Sequence, residues 1–183
     1  MQKLNTQNPQ QSLSADIIRF RPNEAKFNQF KKALNELLRN IDEADREKNQ
    51  ENHIRDFLLN AFYKDENAIN GKGDIDLVIH EGKTKEEKVS VIIETKRPSS
   101  SEMISVAVSN NKALRQAILY FMQERIDEKN NYIKHIVITN IKEWFVFDVK
   151  VFERIFFDDA NFRNEYVKWR GKQKTKSNDL AFL

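Results

Sequence analysis

Residues 88–98 read KVSVIIETKRP. Val89, Val91, Ile92 and Ile93 form an apolar, β-branched run, which predicts a buried strand. The run closes on a carboxylate, an ammonium and a guanidinium. Alternate residues of a strand share a face, so Glu94 and Lys96 stand side by side on one of them. A second β-rich run, GDIDLVIH at 73–80, lies just upstream and is separated from the first by the polar EGKTKEEK. The two read as an antiparallel hairpin with a long loop. Asp76 opens the first strand of that hairpin, so Asp76, Glu94 and Lys96 can converge at one end of the sheet.

Helical periods surround the hairpin. Phe27, Phe30, Leu34, Leu37, Ile41 and Ala44 recur at steps of three and four, with Asn23 as cap after Pro22. Ile54, Phe57, Leu58 and Ala61 give QENHIRDFLLNAFY an apolar face, with Glu51 and Arg55 beside it. A further helix is predicted in NNKALRQAILYFMQERI, strands in YIKHIVITN and KEWFVFD, and closing helices in VFERIF and NFRNEYVKWR. Helices, hairpin, helix, two strands and helices predict an α/β chain with a mixed central sheet flanked by helices. The predicted domain organisation is a polar leader over 1–14, one domain over 15–170 and a basic, polar linker over 171–183.

Composition sets the outer limits. With 183 residues, 39% of them hydrophobic, the chain suffices for one domain with a full core. No stretch is long and apolar enough for a membrane span and MQKLNTQNPQQS lacks a signal-peptide centre, which predicts a cytoplasmic protein with no membrane partner. The absence of cysteine excludes disulfides and thiolate zinc sites. His53, His80 and His135 are scattered without metal-ligand spacing. A net charge of +3 permits a nucleic-acid partner without demanding one.

Acidic-x-Lys occurs six times, beginning at Glu24, Glu81, Glu86, Glu94, Asp127 and Asp148. Glu24 and Asp127 belong to helices, Glu81 and Glu86 to the hairpin loop, and Asp148 runs straight into a helix with no acidic strand before it. Glu94 alone has an acidic strand beside it. Two carboxylates held close repel unless a cation lies between them, and their hard oxygens suit Mg²⁺, which keeps positions for water and phosphate. A lysine beside that ion can orient or deprotonate an attacking water and offset charge in the transition state. The implied reaction is metal-assisted phosphodiester hydrolysis. The bland alternative makes Asp76 a turn residue, and Glu94 and Lys96 solvated residues at a fraying strand end.

Three further features bear on the choice. Asp76 follows Gly73 by three residues, Glu51 lies on a helix upstream, and QAILY puts Gln116 and Tyr120 one helical turn apart. In this order the set resembles the PD-(D/E)xK nuclease superfamily. More narrowly, ENHIRDFLLNAFY, GDIDLVI, VIIETKRP and HIVITNIKEWFVFD resemble the amino-terminal nuclease domain of type IIG restriction-modification enzymes. The likeness spans roughly residues 15 to 170 and departs at Ile75, where the superfamily's proline is replaced. It implies a restriction-endonuclease-like fold and Mg²⁺-dependent endonuclease activity on double-stranded DNA, with Mn²⁺ able to substitute. Asp76 and Glu94 would bind the ion, with Asp74 the alternative aspartate, and Lys96 would handle the water.

Glu51 would support the metal directly or through water; alternatively it is an exposed first-turn glutamate favoured by the helix dipole. Gln116 and Tyr120 would line the cleft, although a tyrosine on an apolar helix also serves as plain core. Arg55 and Arg97 could contact phosphate or pair with the acidic cluster, and Trp144 reads as packing. The resemblance further implies adenine methyltransferase and target-recognition domains downstream in the same polypeptide, and leaves room for a dimer in double-strand cleavage. No methyl-donor loop or methyltransferase tetrapeptide occurs in these residues, so on this reading the chain is a fragment. The basic run from Arg163 through Lys168, Arg170, Lys172, Lys174 and Lys176 would touch DNA, join the next domain or be a solvated tail. The competing class is a nuclease-fold module that binds nucleic acid or a partner without cutting.

Overall fold

Antiparallel neighbours need only a tight turn, whereas a parallel pair needs a crossover; both occur here. A computed structural model of the chain describes residues 4–43 and 46–172. Five strands run in sequence order across one sheet: β1 (Ile69–Lys72), β2 (Ile75–His80), β3 (Val89–Thr95), β4 (His135–Thr139) and β5 (Trp144–Asp148). The pairs β1/β2, β2/β3 and β4/β5 are antiparallel and β3/β4 is parallel. The crossover to β4 carries α5 (Lys112–Met122). The protein is therefore mixed α/β with a central five-stranded mixed sheet flanked by helices, compatible with a restriction-endonuclease-like fold.

Each sheet face buries its own layer. Val78, Ile92, Ile136 and Ile138 pack with Ala117 and Phe121 of α5. Leu77, Ile79, Ile93 and Val137 pack with Leu37 of α3 (Glu24–Arg39) and with Ile54 and Leu58 of α4 (Glu47–Leu58). The odd–even split along β2 and β3 follows directly from strand alternation. Among the described residues, no helix is long and apolar enough to cross a membrane.

Several elements differ from the sequence reading. β1 was not expected: INGK has one strongly apolar residue, and its pairing with β2 through a turn at Gly73, φ +59°, makes it a strand. Part of the predicted polar leader is helical, α1 (Pro9–Ser12), where Asn8 and Gln11 form a capping box; α2 (Ala15–Arg19) follows it. α3 is capped by Asn23 as expected but stops at Arg39, and Ala44 lies outside the described residues. α4 begins at Glu47, three residues before the predicted start. α4 and α5 each continue into one π-helical turn, as does α6 (Val149–Phe152). α7 (Ala160–Lys172) extends past the predicted domain end at residue 170, and residues 173–183 lie outside the described residues.

Candidate functional site

The β2/β3 ladder pairs Leu77 with Ile93 and Val78 with Ile92, so the next step sets Asp76 opposite Glu94. Glu94 lies two residues after Ile92 and shares its α5-facing side. Beyond the end of β3, the Lys96 N–H donates to the Thr139 carbonyl at 2.8 Å, which extends the parallel ladder and fixes the lysine backbone. The Thr95 N–H and hydroxyl both donate to Asp76 Oδ2, at 2.8 and 2.9 Å, tying one carboxylate oxygen and leaving the other.

Burial excludes the solvated strand end. Glu94 is 0% and Lys96 2% exposed, and Lys96 Nζ lies 2.5 Å from Glu94 Oε1. The same ammonium donates to Glu47 Oε1 at 3.1 Å and to the Thr95 carbonyl at 3.1 Å. Glu94 Oε2 is buried without a hydrogen-bond partner. Removal from water pushes the Glu94 carboxyl up to about 8, with Asp76 adding to the rise and Lys96 opposing it. Burial also raises Asp76, against the bonds from Thr95. For Lys96, burial works against the charge, but Glu94 and then Glu47 outweigh it and hold the amine above its ordinary range.

Glu51 is buried rather than exposed on a first turn: it shares the buried face of α4 with Ile54 and Leu58, and the helix begins one turn before it. It accepts from Lys48 Nζ at 2.6 Å, and burial raises its carboxyl, with Asp76 contributing. A β-carbon at Gly71 would lie 3.2 Å from the Asp76 carbonyl oxygen and 3.8 Å from Glu51 Oε1, so β1 passes these groups at backbone distance. Tyr120 is 3% exposed within the α5-side core, and its hydroxyl accepts from Gln116 Nε2 at 3.4 Å. Burial raises the phenol, and Glu94 and Asp76 raise it further, so Tyr120 is both core and electrostatic neighbour of the carboxylates. Gln116 Oε1 is likewise buried without a partner.

The remaining candidates are less gathered. Asp74 is exposed in the β1/β2 turn. Arg55 spends its guanidinium on Asp56, at 3.0 and 3.1 Å, and Arg97 is exposed. Asp148 caps α6 by accepting from the Lys150 N–H at 2.9 Å, and it pairs with His135 at the sheet end away from Glu94. His80 is buried with both ring nitrogens bonded, to the Glu87 carbonyl and to Asn70 Oδ1, a structural role. Trp144 packs edge-on against Phe57, and its ring N–H donates to the Ile141 carbonyl. In the basic run, Lys168 pairs with Glu165, Arg170 with Asp127, and Arg163 bonds the Phe157 carbonyl; Lys174 and Lys176 lie outside the described residues.

Sequence reasoning missed Glu47, Lys48 and Thr95. The i, i+4 spacing of Glu47 and Glu51 on one helix was the available signal. Together Asp76, Glu94, Glu51 and Glu47 set four carboxyl groups against the ammonium groups of Lys96 and Lys48. Fully ionised, the group lacks two positive charges. Among the described residues no three acidic or histidine side chains are gathered closely enough to chelate an ion. Mg²⁺ does not require that: one or two carboxylates, with waters and phosphate oxygens, form its usual shell. Asp76, half free, and Glu94, with its buried unpartnered oxygen, fit such a shell.

No curated protein and no solved structure shows significant similarity to the chain. Residues 7–183 match the family described as a domain of unknown function, DUF7149, and the chain belongs to that family.

Proposed function

We propose that the protein is the Mg²⁺-dependent DNA endonuclease domain of a restriction system, of PD-(D/E)xK type. The observation that carries this reading is the buried Glu94–Lys96 pair opposite Asp76, with Glu94 Oε2 unpartnered. Burying these groups costs several kcal/mol per ion, and a carboxyl raised by burial beside a second carboxylate is a recurrent feature of functional sites.

Asp76 and Glu94 would hold the ion, with Glu51 behind them. A bound Mg²⁺, or Mn²⁺ in its place, supplies Lewis acidity toward a phosphate oxygen and lowers the pKa of a nearby water. Lys96, held protonated beside Glu94, would stabilise the negative charge that grows on the phosphoryl oxygens, and would handle the attacking water only by exchanging one of its present acceptors for it. The Gln116–Tyr120 pair would fix the α5 side of the site, where Tyr120 is an electrostatic neighbour of Glu94 and Asp76. Arg97, exposed one residue beyond Lys96, is placed in sequence to meet a backbone phosphate of double-stranded DNA. The resemblance implies methyltransferase and target-recognition domains in the rest of the polypeptide and a dimer where both strands are cut, with the cytoplasmic location that the lack of a signal-peptide centre predicts.

Because Glu94 is buried, the test uses an isosteric change. Glu94→Gln and Lys96→Met are compared with wild type for Mg²⁺-dependent plasmid cleavage, with circular dichroism to verify folding. Both folded variants are expected to lose cleavage by at least about a hundredfold, the scale of losing one electrostatic group at a reacting centre. Wild-type rates in either overturn the assignment.

A further inference from the structure

An ammonium has three N–H donors, and all three on Lys96 have acceptors: Glu94 Oε1 at 2.5 Å, Glu47 Oε1 at 3.1 Å and the Thr95 carbonyl at 3.1 Å. Two of these acceptors come from the lysine's own stretch of chain. Glu47 comes from the first turn of α4, 49 residues away, and is the contact that ties the ammonium to a second element.

We propose that Glu47 is the positioning residue for Lys96. A lysine side chain has many rotamers to lose, and neighbours on its own strand follow it if the strand end shifts. An acceptor on a packed helix does not. The Glu47 side chain is 45% exposed, so it adds little buried area and its contribution is orientational. Its neighbour Lys48 turns to Glu51 instead, so one turn of α4 aligns two parts of the cluster, Lys96 through Glu47 and Glu51 through Lys48. The catalytic consequence of this role rests on the nuclease reading; the pairing itself does not.

Two competing roles make different demands on the residue at 47. A helix-dipole contribution needs negative charge and is indifferent to Lys96. A metal ligand needs a carboxylate and sets the Mg²⁺ requirement. Positioning needs only an acceptor oxygen, which glutamine retains.

The experiment measures melting temperatures of wild type, Glu47→Ala, Lys96→Met and the double variant, and Mg²⁺-dependent DNA cleavage by wild type, Glu47→Ala and Glu47→Gln. The Tm loss of Glu47→Ala is expected to vanish in the Lys96→Met background; if Lys96→Met does not fold, Lys96→Gln replaces it. Glu47→Ala is expected to lower kcat about tenfold, as small misplacements of a reacting group do, with KM for DNA and the Mg²⁺ midpoint unchanged. Glu47→Gln is expected to recover most of that loss. An equal Tm loss in both backgrounds, equal impairment of the Ala and Gln variants, or a displaced Mg²⁺ midpoint overturns the proposal. Failure of wild type to cleave DNA would instead sink the nuclease reading, while the melting cycle still decides the pairing.

Discussion

Glu94→Gln is expected to change the pH dependence of stability more than any other single substitution at this site. The Glu94 carboxyl titrates at about 8 in the folded chain against an ordinary value of 4.5, so the native state holds a proton that the unfolded state releases between those limits. A raised folded pKa means that stability is fully present below pH 4.5 and is lost as pH rises through about 8. Glutamine mimics the protonated acid and does not titrate. The two proteins should therefore melt alike near pH 5 and separate above it, with the variant more stable. Three pH units at about 1.4 kcal/mol each give a ceiling of about 4 kcal/mol by pH 7.5. Side-chain relaxation and water penetration should reduce this to about 2 kcal/mol. For a chain of this size that is a gap of about 4–8 °C in Tm. Differential scanning fluorimetry in metal-free buffer from pH 5 to pH 9 measures it. A gap that stays constant with pH, or a wild type that gains on the variant as pH rises, refutes the reasoning.

Millimolar Mg²⁺ or Mn²⁺ should raise the wild-type Tm at pH 8 and leave Glu94→Gln nearly unmoved, since a ligand that binds only the folded state stabilises it in proportion to its affinity. Asp76→Asn should abolish cleavage, because Asp76 faces Glu94 across the ladder, whereas Asp74→Asn, out in the turn, should be milder; plasmid nicking assays compare them. The chain alone should cut DNA weakly and without sequence preference, with affinity falling steeply between about 50 and 200 mM salt, as phosphate-dominated binding does. Discrete fragments from the isolated chain on a plasmid would count against that division of labour.

The sheet was legible where side chains carried a period. VIIET and DLVIH announce strands because both faces are buried, and α3 and α5 announce themselves by steps of three and four. β1 was silent because its side chains are not what makes it a strand: Gly71 is there for close approach to Asp76, and Gly73 for its positive φ. The start of α4 was missed for a related reason. EKNQ has no apolar period and Arg46 provides no side-chain cap, so only the i, i+4 spacing of Glu47 and Glu51 hints that this turn is helical.

That missed turn is what separates the site as read from the site as built. With α4 starting at Gln50, Glu51 already stands beside the apolar face, but Glu47 lies outside the helix and cannot be seen as a partner for Lys96. With α4 starting at Glu47, Glu51 is buried beside Asp76, and Glu47 reaches Lys96. The strand residues were found because alternation ties their chemistry to their position within three residues. Of the helix residues, Glu51, Gln116 and Tyr120 were named but Glu47 was not, since which carboxylate reaches Lys96 depends on how α4 docks across β2 and β3, a contact set by Ile54 and Leu58 on the opposite sheet face. Changing the packing at Ile54 should therefore disturb the Lys96–Glu47 bond before it disturbs Glu94 and Asp76, whose pairing belongs to the ladder itself.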